Sequence, residues 1–293
     1  MSDVCLPVHV VIPTHIARHL MMVLFGLSRQ RVKPASITVS ADGINDELEA
    51  VVHEGAQRYG LDILYVRRER HKEGRVQQAR NNGVRGLLQH IDNPSGRLLI
   101  LDGDTVPLPQ TIEMHGTLGY RHGLVVASRI MLDQERTAAL DLAQLEAGTQ
   151  VLEPTPEDLA EMARQHRKAL THQVLRRFSM TKAHKPKIIG AHFSIDLKLF
   201  ITINGADEEY LEYGMNDDEI GRRSYLAGGN SIVAIKDIPV MHLYHPPRQA
   251  TRWRDNPGFE RFRRTDLPVY CVHGLDNPLP QNDLQIDLIR GTG

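Results

Sequence analysis

The feature that most constrains this chain is a unit repeated through residues 1–131: a short apolar run, a polar or small cluster, then an amphipathic stretch. Val8–Ile12 stops on Pro13-Thr14-His15, Ser36–Ser40 on Ala41-Asp42-Gly43, and Leu98–Leu101 on Asp102-Gly103-Asp104. The spacing predicts helices over Ile16–Ser28 (Leu20, Val23, Leu24 and Leu27 on one stripe), Asp46–Tyr59 and Gln77–His90, with a further strand at Asp62–Val66. Strands that alternate with helices pair in parallel and are covered on both faces. The expected fold is therefore α/β and Rossmann-like, a mostly parallel central sheet between helices. Continuously apolar runs belong to buried strands, and acids belong where such a strand emerges into water. All the polar ends then converge on one edge, where open α/β sheets hold ligands.

The segment Leu98 to Pro107 reads Leu-Leu-Ile-Leu-Asp-Gly-Asp-Thr-Val-Pro. In an extended chain residues two apart face the same side, so Asp102 and Asp104 can point into one site. Hard oxygen ligands of this kind suit Mg²⁺ or Mn²⁺ carrying a diphosphate, and the edge reads as a nucleotide-binding one. A tight turn through Gly103 is the competing account. Pro13-Thr14-His15 taken alone is simply a strand end. Asp42 suits a ribose hydroxyl or a base edge, and serves equally well as a turn former beside Gly43.

At 293 residues the chain can bury a substantial core, as one large or two intimate domains. Its 35 basic and 36 acidic residues leave a formal charge of −1, so no global field draws it onto nucleic acid or anionic membrane. No apolar run approaches the length of a membrane span, and no integral membrane segment is expected. The start, Met-Ser-Asp-Val-Cys-Leu-Pro, lacks the pattern of a secretory signal. Cys5 and Cys271 form neither a disulfide framework nor a metal motif, and read as free thiols of a cytoplasmic protein. A peripheral position at the inner face of a membrane stays open.

Leu124–Met131 reads as a strand, after which the composition changes. Asp133–Gly148 and Pro156–Met180 read as helical, the second capped by Thr155 with Asp158 at its third position. That helix turns basic (Arg164, Arg167, Lys168, Arg176, Arg177) and runs into Lys182, Lys185 and Lys187. The preferred reading is a solvated face with cations well placed at a helix C-terminus. The sharper one is contact with an anionic acceptor or a diphosphate. From Ile188 the strand and helix rhythm returns, with a strand-like stretch at Ser231–Val240, and continues to His245. The tail from Thr251 is expected to wrap the surface or to join a homo-oligomer contact.

Three later clusters complete the pattern: Gly190-Ala191-His192-Phe193-Ser194-Ile195-Asp196, Gly205-Ala206-Asp207-Glu208, and Tyr213-Gly214-Met215-Asn216-Asp217-Asp218-Glu219-Ile220-Gly221-Arg222-Arg223. With Ala79-Arg80-Asn81-Asn82-Gly83, this ordered set resembles the family 2 inverting glycosyltransferases of GT-A fold. The later part also resembles the carboxyl-terminal half of the β-1,4-galactosyltransferases. There the elements run G-x-x-x-x-x-R/K-x-x-x, then G-G-F-D-E, then G-W-G-G-E-D-x-D-L-x-x-R, then a metal-ligating histidine, and Ala79 to Gly83 resembles the family's A-R-N-x-G segment. The likeness extends from about Val8 to His245. Asn216 stands where Glu is usual, Tyr213 where Trp is usual, and Asp196 at a frequently basic position, all pointing to an unusual acceptor.

The resemblance implies a nucleoside diphosphate sugar as donor, uridine-based, a hydroxyl acceptor on a sugar or glycoconjugate, and Mn²⁺ or Mg²⁺ as cofactor. It assigns Pro13, Thr14, His15, Asp42, Arg75, Arg80, Asp102, Gly103 and Asp104 to the donor. His192, Tyr213, Gly214, Asn216 and Asp218 go to the acceptor, and Asp104, His245 and then His242 to the metal. Four segments follow: a donor-binding half (1–131), a helical insertion (132–187), an acceptor half (188–250) and an extension (251–293). Asp217 would act as catalytic base, because glycosyl transfer needs the acceptor hydroxyl to lose its proton as the new bond forms. Taken alone, Asn216 as a helix cap with Asp217, Asp218 and Glu219 complementing the dipole explains the same residues.

Two rivals remain on sequence. A sugar nucleotidyltransferase uses similar strands but usually opens with a Gly-rich loop, and Pro13-Thr14-His15-Ile16 has no glycine. A GT-A scaffold that binds nucleotide or glycan without turnover is the non-enzymatic alternative. Asn216 favours it, and Asp104 with Asp217 opposes it.

Overall fold

Val8–Thr14 (β1) is buried at all seven positions. Successive side chains of a strand face opposite ways, so the sheet around it is covered on both faces. The computed structural model describes residues 4–211, 214–246 and 257–292. From β1 the chain runs through Leu20–Ser28 (α1), Ser36–Ala41 (β2), Asp46–Tyr59 (α2), Ile63–Arg67 (β3), Val76–Leu88 (α3) and Arg97–Leu101 (β4). Next come Thr105–Pro107 (β5), Thr111–Leu118 (α4), Leu124–Val126 (β6), Ile130–Met131 (β7), Gln134–Ala138 (α5), Leu142–Ala147 (α6) and Pro156–Arg177 (α7). His192–Asp196 (β8), Leu197–Thr202 (α8), Asn216–Leu226 (α9), Ser231–Val233 (β9), Val240–His242 (β10), Pro257–Arg263 (α10) and Gln285–Ile289 (β11) complete the described strands and α-helices.

The eight-stranded central sheet has the order β11-β3-β2-β1-β4-β8-β6-β9. β1 pairs in parallel with both β2 and β4, and β2 with β3. The chain leaves β1 towards one side and returns to the other, so a topological switch point lies between β1 and β4. Crevices in open α/β sheets form there, beyond the carboxyl ends of the strands. The parallel run ends at β8, which is antiparallel to β4 and β6, while β9 is again parallel to β6.

A second sheet has three strands in the order β5-β10-β7. Its register sets His242 opposite Thr105, the residue after Asp104. Two expected single strands are therefore broken. Leu124–Met131 divides into β6 and β7, one in each sheet, and Ser231–Val240 into β9 and β10 around a turn at Asp237. The first helix starts at Leu20, because Thr14 Oγ1 bonds the Ile16 carbonyl at 2.9 Å and holds the preceding residues in a turn. The expected capping box at Thr155 and Asp158 is present.

The tail is more ordered than a surface wrap requires. β11 adds an antiparallel edge to β3, and Cys271 is buried with the Leu275 amide bonded to the Asn204 carbonyl. Both cysteines are free thiols.

Candidate active site

A cavity of about 1260 Å³ opens at the switch point, lined by Pro13, Thr14, His15 and His19 from the end of β1, Arg80 from α3, and Asp102, Gly103 and Asp104 after β4. Gly190, Ala191, Gly214, Met215, Asn216, Asp217 and Asp218 close another side. It is larger than an ordinary small-molecule pocket, with room for two substrates. The turn after β4 lies against β1: a Cβ on Gly103 would sit 2.7 Å from Thr14 Oγ1. Only glycine allows this approach.

The end of β10 delivers two histidines to Asp104. Pairing of His242 with Thr105, and the Leu243 amide bonded to the Asp104 carbonyl at 2.9 Å, fix the two segments together. His242 Nε2 then lies 3.3 Å from Asp104 Oδ1, and His245 Nε2 3.3 Å from Oδ2. The three ligand atoms lie within 4.8 Å of one another. Burial pushes the His242 imidazole down to about 4 against the pull of Asp104, which keeps it neutral and able to donate a lone pair. His19, which sequence reasoning overlooked, buttresses the group by bonding the Tyr244 carbonyl at 3.0 Å.

Asp217 lies in the first turn of α9 with its side chain 35% exposed. Its Oδ1 accepts from Arg80 Nη1 at 3.0 Å, and Arg80 Nη1 also donates to Gln77 Oε1 at 2.7 Å. Burial pushes the Asp102 carboxyl up to about 6, with Arg80 opposing the rise and the charges of Asp104 and Asp217 adding to it. Asp102 thus feels the charges of both Asp104 and Asp217. Helix α9 is not capped by Asn216. Met215, at φ 61°, precedes the helix without a side-chain cap, and Asn216 is the first helical residue with its Nδ2 donating to the Tyr210 carbonyl.

The loop at Gly190 passes directly over the Arg80–Asp217 pair. A Cβ there would meet Asp217 Oδ1 at 2.0 Å and Arg80 Nη2 at 2.3 Å. Both obstacles are side-chain ends, so Gly190→Ala is expected to fold while displacing the pair. Misplacing a catalytic group by about 1 Å costs roughly 100-fold in rate. Steady-state kinetics beside a thermal melt check this, and unaltered kcat would detach Gly190 from the site.

Several motif residues serve as a clamp. Gln77 Nε2 donates to Glu219 Oε1 at 2.7 Å and to the Asn216 carbonyl at 2.9 Å, tying α3 to α9. Asn81 bonds Ala206 through both its amide groups. The buried Glu208 carboxylate accepts from Asn81 Nδ2, Gln78 Nε2, Arg85 Nη2 and the Leu279 amide. Glu208→Ala would strand four donors and is expected to cost about 3–5 kcal/mol, lowering the melting midpoint by roughly 10 °C. Scanning calorimetry checks it; an unchanged midpoint would refute the clamp.

Three expected site residues stand elsewhere. Asp42 bonds Arg68 Nη2 at 2.5 Å, and Arg75 is held by Glu73 and the Pro280 carbonyl, so neither lines the cavity. Tyr213 lies outside the described residues. His192 is corrected most sharply. It is fully buried, its Nδ1 bonds the Ser128 carbonyl at 2.7 Å, and its Nε2 meets His115 Nε2 at 2.8 Å. With Nδ1–H donating to the carbonyl, His192 Nε2 accepts from His115, whose Nδ1 accepts from Ser194. Alternation along β8 turns His192 and Ser194 to this inner face.

Burial pushes His192 down to about 4. A folded value below the unfolded 6.5 means the unfolded chain takes up the proton first, so stability is lost as pH falls from about 6.5 towards 4. The loss is expected to approach about 3 kcal/mol, and His192→Gln should flatten that part of the stability profile. Denaturant unfolding between these pH values is the check; an identical slope would oppose it.

The basic stretch also differs from the preferred expectation. Lys168, Lys182, Lys185 and Lys187 line the cavity, and Lys187 Nζ lies 3.0 Å from Asp218 Oδ2.

Residues 172–246 match the family described as the N-terminal domain of galactosyltransferase. No curated protein matches the chain significantly. Among solved structures, GalNAc-T7 with UDP, GalNAc and Mn²⁺ is similar with a TM-score of 0.51 at 19% identity, over 82% of this chain and 44% of that one. S. aureus TarS 1-349 with UDP-GlcNAc is similar with a TM-score of 0.53 at 10% identity, over 84% of this chain and 61% of that one. The chain thus spans less than two thirds of either relative. Among the described residues no helix is long and apolar enough to cross a membrane. The chain has the GT-A glycosyltransferase fold, with a galactosyltransferase-type segment forming the α9 side of its cavity.

Proposed function

We propose that the chain is a metal-dependent, inverting glycosyltransferase that moves a sugar from a UDP-linked donor to a hydroxyl acceptor. The observation that carries this reading is that Asp104 and Asp217 line one crevice, with His242 and His245 gathered on Asp104. Similarity to GalNAc-T7 with UDP and Mn²⁺, and to TarS with UDP-GlcNAc, supports the uridine donor. One carboxylate and two imidazoles, one of them held neutral, form a donor set that fits Mn²⁺ better than the all-oxygen preference of Mg²⁺. Such an ion, when bound, neutralises charge on the departing diphosphate.

The remaining work belongs to the chain. Arg80 orients Asp217, and the Asp217 carboxylate takes the proton of the acceptor hydroxyl as that oxygen attacks the anomeric carbon. Attack opposite the leaving group in one displacement inverts the configuration. Asn216 and Asp218 flank the acceptor, and Pro13, Thr14 and His15 the nucleotide.

The test pairs thermal stabilisation by UDP and Mn²⁺ with release of UDP from a panel of donors. Both are expected. Binding without release would favour a scaffold, and pyrophosphate release a nucleotidyltransferase. His245→Ala is expected to raise the Mn²⁺ concentration needed for half-maximal activity about tenfold or more. An unaltered metal titration would remove it from the ligand set.

A further inference from the structure

Residues 182–187, Lys-Ala-His-Lys-Pro-Lys, place three ammonium groups in six positions beside the cavity. The loop is built rather than draped. Arg176 of α7 donates to the carbonyls of Lys185 at 2.7 Å, Ala183 at 2.5 Å and Lys182 at 3.2 Å. Arg176 also stacks 3.7 Å above the ring of Tyr225, whose hydroxyl donates to the Pro186 carbonyl at 2.9 Å. Backbone anchors therefore hold like charges together at an electrostatic cost. Among the described residues, Asp218 on Lys187 is the one carboxylate paired with this loop, and Lys168, Lys182 and Lys185 have none. Burial, with the neighbouring cations adding to it, pushes His184 down to about 4 and lowers Lys185.

The arrangement favours one kind of anion. Arg176 is engaged on the loop and Arg222 Nη1 on the carbonyls of Phe262 and Arg264, while Arg80, Arg129 and Arg263 also line the cavity. What this loop presents to the cavity is a set of ammonium point charges, which suit phosphate better than the bidentate geometry of a carboxylate. Lys187 joins this set to Asp218, next to Asp217, whereas the donor diphosphate belongs at Asp104 and the β10 histidines. Asp218 is 6% exposed and its Oδ1 has no hydrogen-bond partner, so a hydroxyl group of a ligand would satisfy it.

Resting on the glycosyltransferase reading, we propose that the acceptor is a phosphate-bearing sugar or polyol. Its phosphate sits among Lys168, Lys182 and Lys185, and its hydroxyls lie against Asp218 and Asp217.

Glucose and glucose 6-phosphate, and glycerol and glycerol 3-phosphate, are titrated calorimetrically into the full chain, with and without UDP and Mn²⁺. Glucuronate serves as the carboxylate comparison. The phosphorylated member of each pair is expected to bind at least tenfold tighter than its neutral partner and tighter than glucuronate, with affinity falling as salt rises. Lys182→Gln/Lys185→Gln is expected to remove that preference and leave UDP–Mn²⁺ affinity within twofold of wild type. Equal binding of phosphorylated and neutral partners, equal binding of glucuronate, or a double variant that keeps the preference would each overturn the proposal. So would a double variant that loses UDP–Mn²⁺ binding, because the lysines would then serve the donor. Failure of wild type to bind UDP with Mn²⁺, beside lysine-dependent phosphate binding, would instead overturn the donor reading alone.

Discussion

Asp217→Asn is expected to lower turnover by about 10²–10⁴-fold, the usual worth of a positioned general base. The amide keeps an oxygen that can still accept from Arg80 Nη1, now 3.0 Å from Asp217 Oδ1, so the geometry of the pair survives while basicity is lost. Donor affinity should stay near wild type, since Asp217 is not part of the group formed by Asp104, His242 and His245. The informative measurement is kcat beside the dissociation constant of UDP with Mn²⁺. A fall in kcat with unchanged nucleotide binding is the expected split. Wild-type turnover would end the role of Asp217 as base and return it to complementing the α9 dipole.

Asp104→Ala is expected to abolish Mn²⁺-dependent UDP binding, a loss beyond 100-fold. Asp104 supplies the carboxylate that both His242 and His245 approach, and no other acidic side chain among the described residues joins that group. The fold should persist, because the backbone bond from the Leu243 amide to the Asp104 carbonyl and the pairing of β5 with β10 do not need the side chain. Calorimetry of UDP with Mn²⁺ and with a chelator provides the test. Equal affinity in wild type and variant would remove Asp104 from the nucleotide site. A Gly190→Ala protein that folds but turns over slowly would tie the same crevice to catalysis from its other side.

The sequence by itself determined the α/β rhythm. Val8–Ile12, Ser36–Ser40 and Leu98–Leu101 are too apolar to lie anywhere but inside a sheet, and their polar ends could emerge only at its edge. It also marked Asp104, Asp217, His242 and His245 as chemically loaded positions. Sequence order said less about neighbours. A strand pattern carries no label for its partner, so the split of Leu124–Met131 into two sheets, and the antiparallel β8 within the main one, came from pairing between distant segments. Residue type was equally silent on role. His192 looked like an acceptor residue, and Glu208 stood in a motif with no role assigned, because acids and imidazoles usually face solvent or ligand. In the structure each is buried among partners supplied by remote parts of the chain. Lys182 and Lys185 show the converse, since a basic run reads as a solvated face until Arg176 and Tyr225 turn its backbone towards a cavity. Local periodicity decides which side chains are hidden; only long-range packing decides what they meet.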